Sequence, residues 1–120
     1  MSSWTWVDAW LLAAIPDPDA GGSLSEVIGV ADAVNHAIPT RDELASSLGA
    51  LLAADLVTAL DGRFRVTPAG RAVRAQWDGR LGGWQEAILP ALARLPRPEQ
   101  PLPLTEDEVR AAYAKYSGGP

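Results

Sequence analysis

The chain has 120 residues, no cysteine and a formal net charge of −5 at pH 7. This length predicts one small domain with a short appendage and excludes a multidomain enzyme. The hydrophobic fraction of 48% excludes disorder for most of the chain. The absence of cysteine removes disulfides, thiolate metal sites and cysteine nucleophiles, and fits a reducing compartment. No apolar stretch approaches the roughly 18 residues of a membrane span, so we expect a cytoplasmic protein that does not bind a membrane.

Charge is distributed unevenly along the chain. Residues 1–62 contain nine acidic side chains and one basic side chain, whereas residues 63–97 contain seven arginines and two acidic side chains. An asymmetry of this kind can orient a charged partner. Solvated helix faces also carry charges of both signs, so charge alone leaves the partner open.

Three helices are predicted in the first half of the chain, over residues 4–14, 24–34 and 41–54. The first carries an apolar stripe at helical spacing and stops at Pro16. The second and third each begin at a capping box, in which a serine or threonine is followed three residues later by a glutamate. These boxes are Ser23 with Glu26 and Thr40 with Glu43.

A β-hairpin is predicted after the third helix. Two β-compatible runs, residues 56–60 and 63–67, flank an Asp-Gly dipeptide. This dipeptide is the strongest short hairpin signal because a type I′ turn needs positive φ at both of its central residues. Alternation along the second run points Phe64 to one face and both Arg63 and Arg65 to the other.

Three more helices are predicted after the hairpin, over residues 68–77, 83–95 and 105–116. Thr67 caps the first of them, with a proline at the first helical position. Pro90 bends or interrupts the second, and Thr105 with Glu108 opens the third. The proline-rich run at residues 96–103 is expected to form a stiff, extended linker.

This order of helix, helix, turn, helix, two-stranded hairpin, helix resembles the winged-helix domains of MarR-like and PadR-like regulators. Residues 48–71 carry the resemblance, with a leucine-rich helix, a Leu-Val pair, the hairpin and a Thr-Pro-Ala-Gly-Arg run. It implies a mainly α winged-helix domain over residues 1–80, with the hairpin as the wing, and a C-terminal helical extension over residues 81–120. It also implies DNA binding, and a homodimer formed by helices flanking the wing.

The third helix is nevertheless poorly suited to reading a duplex. Its outward side, at helical spacing, consists of acidic and small residues, namely Asp42, Ser46, Gly49, Ala50 and Ala53. Carboxylates in the first turn suit the helix dipole but repel phosphates. The small residues permit another backbone or helix to approach closely. We therefore predict a protein interface through Ser46, Gly49, Ala50 and Ala53.

Basic side chains near the wing favour the alternative, a DNA-binding transcriptional regulator. The candidate DNA contacts are Arg41, Arg63, Arg65, Arg71 and Arg74. The two wing arginines with their neighbours would neutralise only about two to four phosphates. Protein contacts are therefore favoured over sequence-specific DNA readout, and both hypotheses stay open.

Tryptophan is unusually frequent, with five in the chain. Residues 4 and 6 lie about 200° apart around one helix, so at least one tryptophan should be exposed. Most are expected to fill the core between the first helix and the region of Trp77 and Trp84. The alternative is a homodimer through the first helix and residues 81–95, because tryptophan is enriched at interface hot spots. Its candidate residues are Trp4, Trp6, Trp10 and Trp84.

No constellation of side chains points to catalysis, a cofactor or a metal. His36 is the only histidine and is expected to be a turn or packing residue, since no cysteine or second histidine could complete a metal site. Ser46 and Ser47 lie in the middle of a predicted helix with no evident base. We therefore expect a non-enzymatic binding module without cofactor or metal.

Overall fold

The computed structural model describes residues 3–16, 20–79 and 82–118. Within these ranges the chain forms six helices and a three-stranded antiparallel sheet. In chain order the elements are α1 Trp6–Ala14, β1 Gly22–Ser23, α2 Leu24–Asn35, α3 Arg41–Ala53, β2 Val57–Leu60, β3 Arg63–Val66, α4 Pro68–Arg74, α5 Trp84–Leu92 and α6 Glu106–Tyr116. None of these helices is both long and apolar enough to cross a bilayer.

Local capping sets most helix boundaries, and the predicted capping boxes are confirmed. Ser23 and Thr40 each accept a hydrogen bond from the backbone N–H three residues later. The backbone N–H of Ser23 donates to Glu26 in return, which lowers the pKa of the Glu26 carboxyl. α1 begins two residues later than predicted because Thr5 is its N-cap. α4 ends at Arg74, three residues before its predicted end.

The predicted hairpin is confirmed, with Asp61 and Gly62 at φ values of 54° and 73°, as a type I′ turn requires. β3 pairs with β2 on one side and with the short strand β1 on the other. β1 was not predicted, because two residues carry no periodicity. It lies close to β3 because Gly21 has no side chain, and a Cβ there would lie 2.3 Å from the carbonyl oxygen of Phe64.

α1 lies at the centre of the molecule and packs against α2, α3 and α5. Most of its side chains are buried, which agrees with a helix that is apolar on nearly all sides. Ile88 and Leu92 of α5 are fully buried in the same core. α1 and α5 therefore share one hydrophobic core.

The C-terminal part of the chain wraps back over the helices. Residues 96–105, which we call the strap, form no helix and cross α3 at Ala45 and Gly49. α6 then packs on α2. The strap and α6 thus pack on the two helices that the resemblance assigns to a helix-turn-helix.

Candidate functional site

The strap crosses the outward side of α3 at Gly49, whereas Asp42, Ser46 and Ala53 on the same side remain exposed. The backbone N–H of Leu102 donates to the carbonyl oxygen of Ala45 at 2.9 Å. A Cβ at Gly49 would lie 2.1 Å from the carbonyl oxygen of Gln100, so only glycine allows this approach. Gly49 and Ala50, predicted to face outward, are both buried. The small-residue face does admit another backbone, and that backbone belongs to the same chain.

Arg97 of the strap forms a buried ion pair with Asp8. Its guanidinium donates to both carboxylate oxygens, with Nε–Oδ2 at 2.9 Å and Nη2–Oδ1 at 3.0 Å. The Asp8 side chain is 0% exposed and that of Arg97 only 7%. Ser47 Oγ and the backbone N–H of Thr5 also donate to Asp8, at 2.7 and 2.8 Å. The hydrogen bonds to Asp8 raise the pKa of Arg97 because they favour the charged guanidinium.

Trp4 and Ser46 also contact the strap. The guanidinium carbon of Arg97 lies 5.6 Å from the centre of the Trp4 ring, and Arg97 Nη2 lies 3.1 Å from Ser46 Oγ. The indole N–H of Trp4 donates to the carbonyl oxygen of Leu95 at 2.9 Å. Two predicted interface residues therefore serve contacts within the chain, while Ala53 stays exposed beside the strap.

The sequence reasoning did not identify the Asp8–Arg97 pair. Asp8 carries a local signal, because it stands three residues after Thr5 and completes a capping box. Arg97 carries none, since 89 positions separate it from Asp8. The pair is a consequence of the tertiary fold.

Arg63 and Arg65 share one face of β3 but have different surroundings. Arg63 donates to the carbonyl oxygens of Ala20 and Gly21, both at 3.0 Å, and lies 3.6 Å from Glu26. Arg65 is exposed and forms no hydrogen bond or ion pair with the part of the chain that the structure describes. Only Arg65 therefore projects from the hairpin as predicted.

The other candidate DNA contacts lie outside the hairpin. Arg41 forms ion pairs with Asp42 at 2.6 Å and with Glu106 at 3.1 Å. Arg74 donates to two carbonyl oxygens at the C-terminal end of α1, at 2.8 and 3.3 Å. Arg71 is exposed on α4. Carboxylates and carbonyls of the chain itself thus engage Arg41, Arg63 and Arg74.

The tryptophans mainly build the core, as the sequence predicts. Trp4, Trp10 and Trp84 are buried, whereas Trp6 is 42% exposed. The Trp6 ring stacks on Trp10 with centroids 5.7 Å apart and lies 6.4 Å from Trp84. Of the four tryptophans predicted for a dimer interface, Trp6 alone offers a substantial surface to a second molecule. Residues 80 and 81, at the edge of that predicted interface, lie outside the described ranges.

A groove of about 830 Å³ runs along α2, and we call it the α2 groove. Its lining is mainly apolar and includes Ile15, Val30 and Ala33, together with the charged side chains of Glu26, Arg74 and Lys115. Trp77 and Tyr116 supply aromatic surface. Its volume lies in the range of about 300–1,000 Å³ that is typical of binding pockets.

Tyr116 lines the α2 groove and connects α6 to α2. Its hydroxyl donates to Asp32 Oδ2 at 2.6 Å, and this hydrogen bond raises the pKa of Tyr116. Its ring lies over Gly29, where a Cβ would lie 2.8 Å from the ring. The absence of a side chain at Gly29 therefore allows α6 to pack closely on α2.

A second groove, of about 520 Å³, runs between α4 and α5, and we call it the α4–α5 groove. Its lining combines Ala72, Val73, Ala87, Pro90, Ala91 and Leu95 with the polar side chains of Gln76, Glu86 and Arg94.

Metal binding finds no support among the described residues, which contain no group of three or more histidine, aspartate or glutamate side chains able to hold an ion. Each buried side-chain nitrogen and oxygen in these ranges has a hydrogen-bond partner. Comparison with protein-family models, curated proteins and solved structures found no match for this chain. Its function must therefore follow from the geometry of its own surfaces.

Proposed function

We propose that the chain is a non-enzymatic binding module built on a winged-helix domain, and that it binds protein rather than reading a DNA sequence. The observation that carries this proposal is the strap across α3. In a helix-turn-helix the second helix enters the major groove with its outward side against the bases. In this chain, backbone at Gln100 and Leu102 lies against that side, at Gly49.

Clearing α3 for a duplex would be costly. The strap would have to leave, and the fully buried Asp8 carboxylate would then lose Arg97. Removing one partner of a buried ion pair costs about 3–5 kcal/mol. The helix that would be uncovered carries Asp42 and Glu43 in its first turn, and both would repel phosphate.

The winged-helix assignment is supported by the order of elements. The hairpin β2–β3 follows α3 directly, and α2 precedes α3 with a short turn between them. β1 adds a third strand to the hairpin, in the order β1-β3-β2. A hairpin thus follows a helix pair in the order expected of a winged helix, but the strap lies against the second helix of the pair at Gly49.

The α2 groove is the surface to which we assign a partner protein. Its walls combine apolar side chains of α2 with the rings of Trp77 and Tyr116. A groove whose lining is mainly apolar suits the apolar face of a partner helix. Trp77 and Tyr116 also offer the amphipathic aromatic surface that is enriched where proteins bind each other.

A salt-titrated DNA-binding experiment tests the first half of the proposal. We expect no saturable binding of a labelled random-sequence duplex, measured by fluorescence anisotropy at about 50 and 200 mM salt. Saturable binding with a steep salt dependence, abolished by Arg65→Ala, would establish the alternative of a DNA-binding regulator. Arg110→Ala is the control, because it removes an exposed arginine far from the wing.

A matched pair of variants tests the second half. Ala33→Glu places a charge in the α2 groove, whereas Ala111→Glu makes the same change on the exposed face of α6. Crosslinking in cells followed by mass spectrometry should recover a protein with the wild type and with Ala111→Glu, and lose it with Ala33→Glu. Recovery unaffected by Ala33→Glu would refute the assignment of the groove.

A further inference from the structure

We infer that the partner of the α2 groove is an amphipathic helix that carries an acidic side chain beside its apolar face, and that this acid pairs with Lys115. The inference rests on the proposed function, since it names the chemistry of the protein that the groove binds. Three charged side chains line the groove, namely Glu26, Arg74 and Lys115. Their surroundings within the chain show which of them a partner can use.

Glu26 and Arg74 have polar partners in the chain itself. Glu26 accepts a hydrogen bond from the backbone N–H of Ser23 at 3.1 Å and lies 3.6 Å from Arg63, which balances its charge. Arg74 donates to two carbonyl oxygens at the C-terminal end of α1, at 2.8 and 3.3 Å. A partner therefore needs to satisfy neither of these groups.

Lys115 is the charged group of the groove that remains available. Its side chain is exposed and forms no hydrogen bond or ion pair with any residue that the structure describes. Its position is defined by the next residue, because the Tyr116 ring packs over Gly29 and the Tyr116 hydroxyl donates to Asp32 at 2.6 Å. A positive charge is thus held beside the mainly apolar lining of the groove.

The charge of Lys115 already acts on a second group in the groove. Hydrogen bonds from Ser23 lower the pKa of the Glu26 carboxyl, and the charges of Arg63 and Lys115 add to this effect. The Lys115 ammonium is therefore close enough to the groove for its field to be felt there. Because Arg63 balances Glu26, Lys115 leaves a net positive charge at this point.

A partner helix that fills the groove would partly dehydrate this ammonium. A neutral or basic side chain opposite Lys115 would leave the charge without compensation, which carries a free-energy penalty. An aspartate or glutamate supplies the counter-charge and fixes the register of the helix in the groove. Side chains three or four positions apart lie on one face of a helix, so an acid beside the apolar stripe can reach Lys115 while the stripe contacts Val30 and Ala33.

Selection from a displayed peptide library tests which charge the groove prefers. The library contains amphipathic peptides of about 15 residues, a length at which a helix is marginal alone and forms on binding. Each peptide has a constant leucine stripe at helical spacing and random residues beside it. We expect the wild-type chain to enrich aspartate or glutamate at a position beside the stripe, and Lys115→Glu to enrich lysine or arginine at that position.

Binding of one selected acidic peptide then separates the charge from the groove itself. Its affinity, measured by fluorescence anisotropy of a labelled peptide, should fall about three- to tenfold in Lys115→Glu. This loss should shrink as the salt concentration rises, because exposed charges are screened. Ala33→Gln fills the groove without adding a charge and should weaken binding about tenfold or more at every salt concentration. Arg110→Glu is the control, because it reverses an exposed charge of α6 outside the groove.

Circular dichroism of each variant checks that the fold is retained, which the exposed positions of Ala33 and Lys115 favour. Peptides that Ala33→Gln no longer binds, but that carry no acid or bind Lys115→Glu unchanged, would overturn the inference and leave the proposed function standing. Equal losses in Lys115→Glu and Arg110→Glu would also overturn it, since they would indicate a general attraction between charges. If no peptide were enriched, or if Ala33→Gln left binding unchanged, the assignment of the groove would fail as well.

Discussion

Replacement of Arg97 by alanine tests whether the strap is an integral part of the fold. The substitution leaves Asp8 buried with 0% exposure and without its counter-charge. Breaking such a pair costs about 3–5 kcal/mol. Ser47 Oγ and the Thr5 backbone N–H still donate to the carboxylate at 2.7 and 2.8 Å. We therefore expect the lower end of that range, about 3 kcal/mol.

Urea denaturation followed by circular dichroism measures this loss directly. For a domain of this size, 3 kcal/mol corresponds to a fall in Tm of about 10–15 °C. Arg97→Lys keeps the charge but loses the bidentate geometry, so we expect an intermediate loss of about 1.5 kcal/mol. Arg110→Ala is the control, because its pair with Asp107 is exposed and contributes less than about 1 kcal/mol.

The magnitude of the Arg97 effect decides between two states of the strap. A loss near 3 kcal/mol means that α3 stays covered under ordinary conditions. If Arg97→Ala were as mild as Arg110→Ala, the buried pair would contribute little and the strap could leave α3 readily. That result would refute the argument that the strap prevents α3 from binding a DNA duplex.

Two further substitutions test the packing of the C-terminal segments. Gly49→Ala should lower the free energy of unfolding in urea by about 1–3 kcal/mol, because the added Cβ would lie 2.1 Å from the Gln100 carbonyl oxygen. Alanine ordinarily favours a helix more than glycine does. A stabilised variant would therefore contradict the position of the strap. The hydrogen bond to Asp32 raises the pKa of Tyr116 above its ordinary value of 10.0. The contribution of this hydrogen bond to the packing of α6 is therefore complete below pH 10.0 and is lost as the pH rises through the raised pKa of Tyr116. The difference between the spectrophotometric titration curves of the wild type and Tyr116→Phe isolates the Tyr116 phenol, and we expect this phenol to ionise above pH 10.0. A difference curve centred at pH 10.0 or below would contradict this hydrogen bond.

The residues of β3 show which features of the hairpin could be predicted from the sequence. Alternation correctly separated buried Phe64 from Arg63 and Arg65. It could not distinguish the two arginines, because both occupy equivalent positions on the strand. Arg63 is held by carbonyl oxygens of Ala20 and Gly21 beside β1, and two-residue β1 carries no sequence signal of its own.

The outward side of α3 shows the same limit of prediction from the sequence. Helical spacing identified Gly49 as part of a smooth face suited to a close neighbour. Which backbone lies there depends on the path of residues 96–105, and no local pattern specifies it. The same applies to Asp8, whose role as a cap is local but whose ion pair with Arg97 joins distant parts of the chain.

By itself the sequence determined the elements whose causes lie within a few residues, such as the capped starts of α2, α3 and α6 and the turn at Asp61 and Gly62. Capping and turn formation depend on side chains about three positions apart, so they can be read without a fold. The tertiary structure alone decided that the strap lies against the third helix at Gly49 and which arginines stay exposed. Those outcomes depend on contacts between distant residues, which only the folded chain brings together.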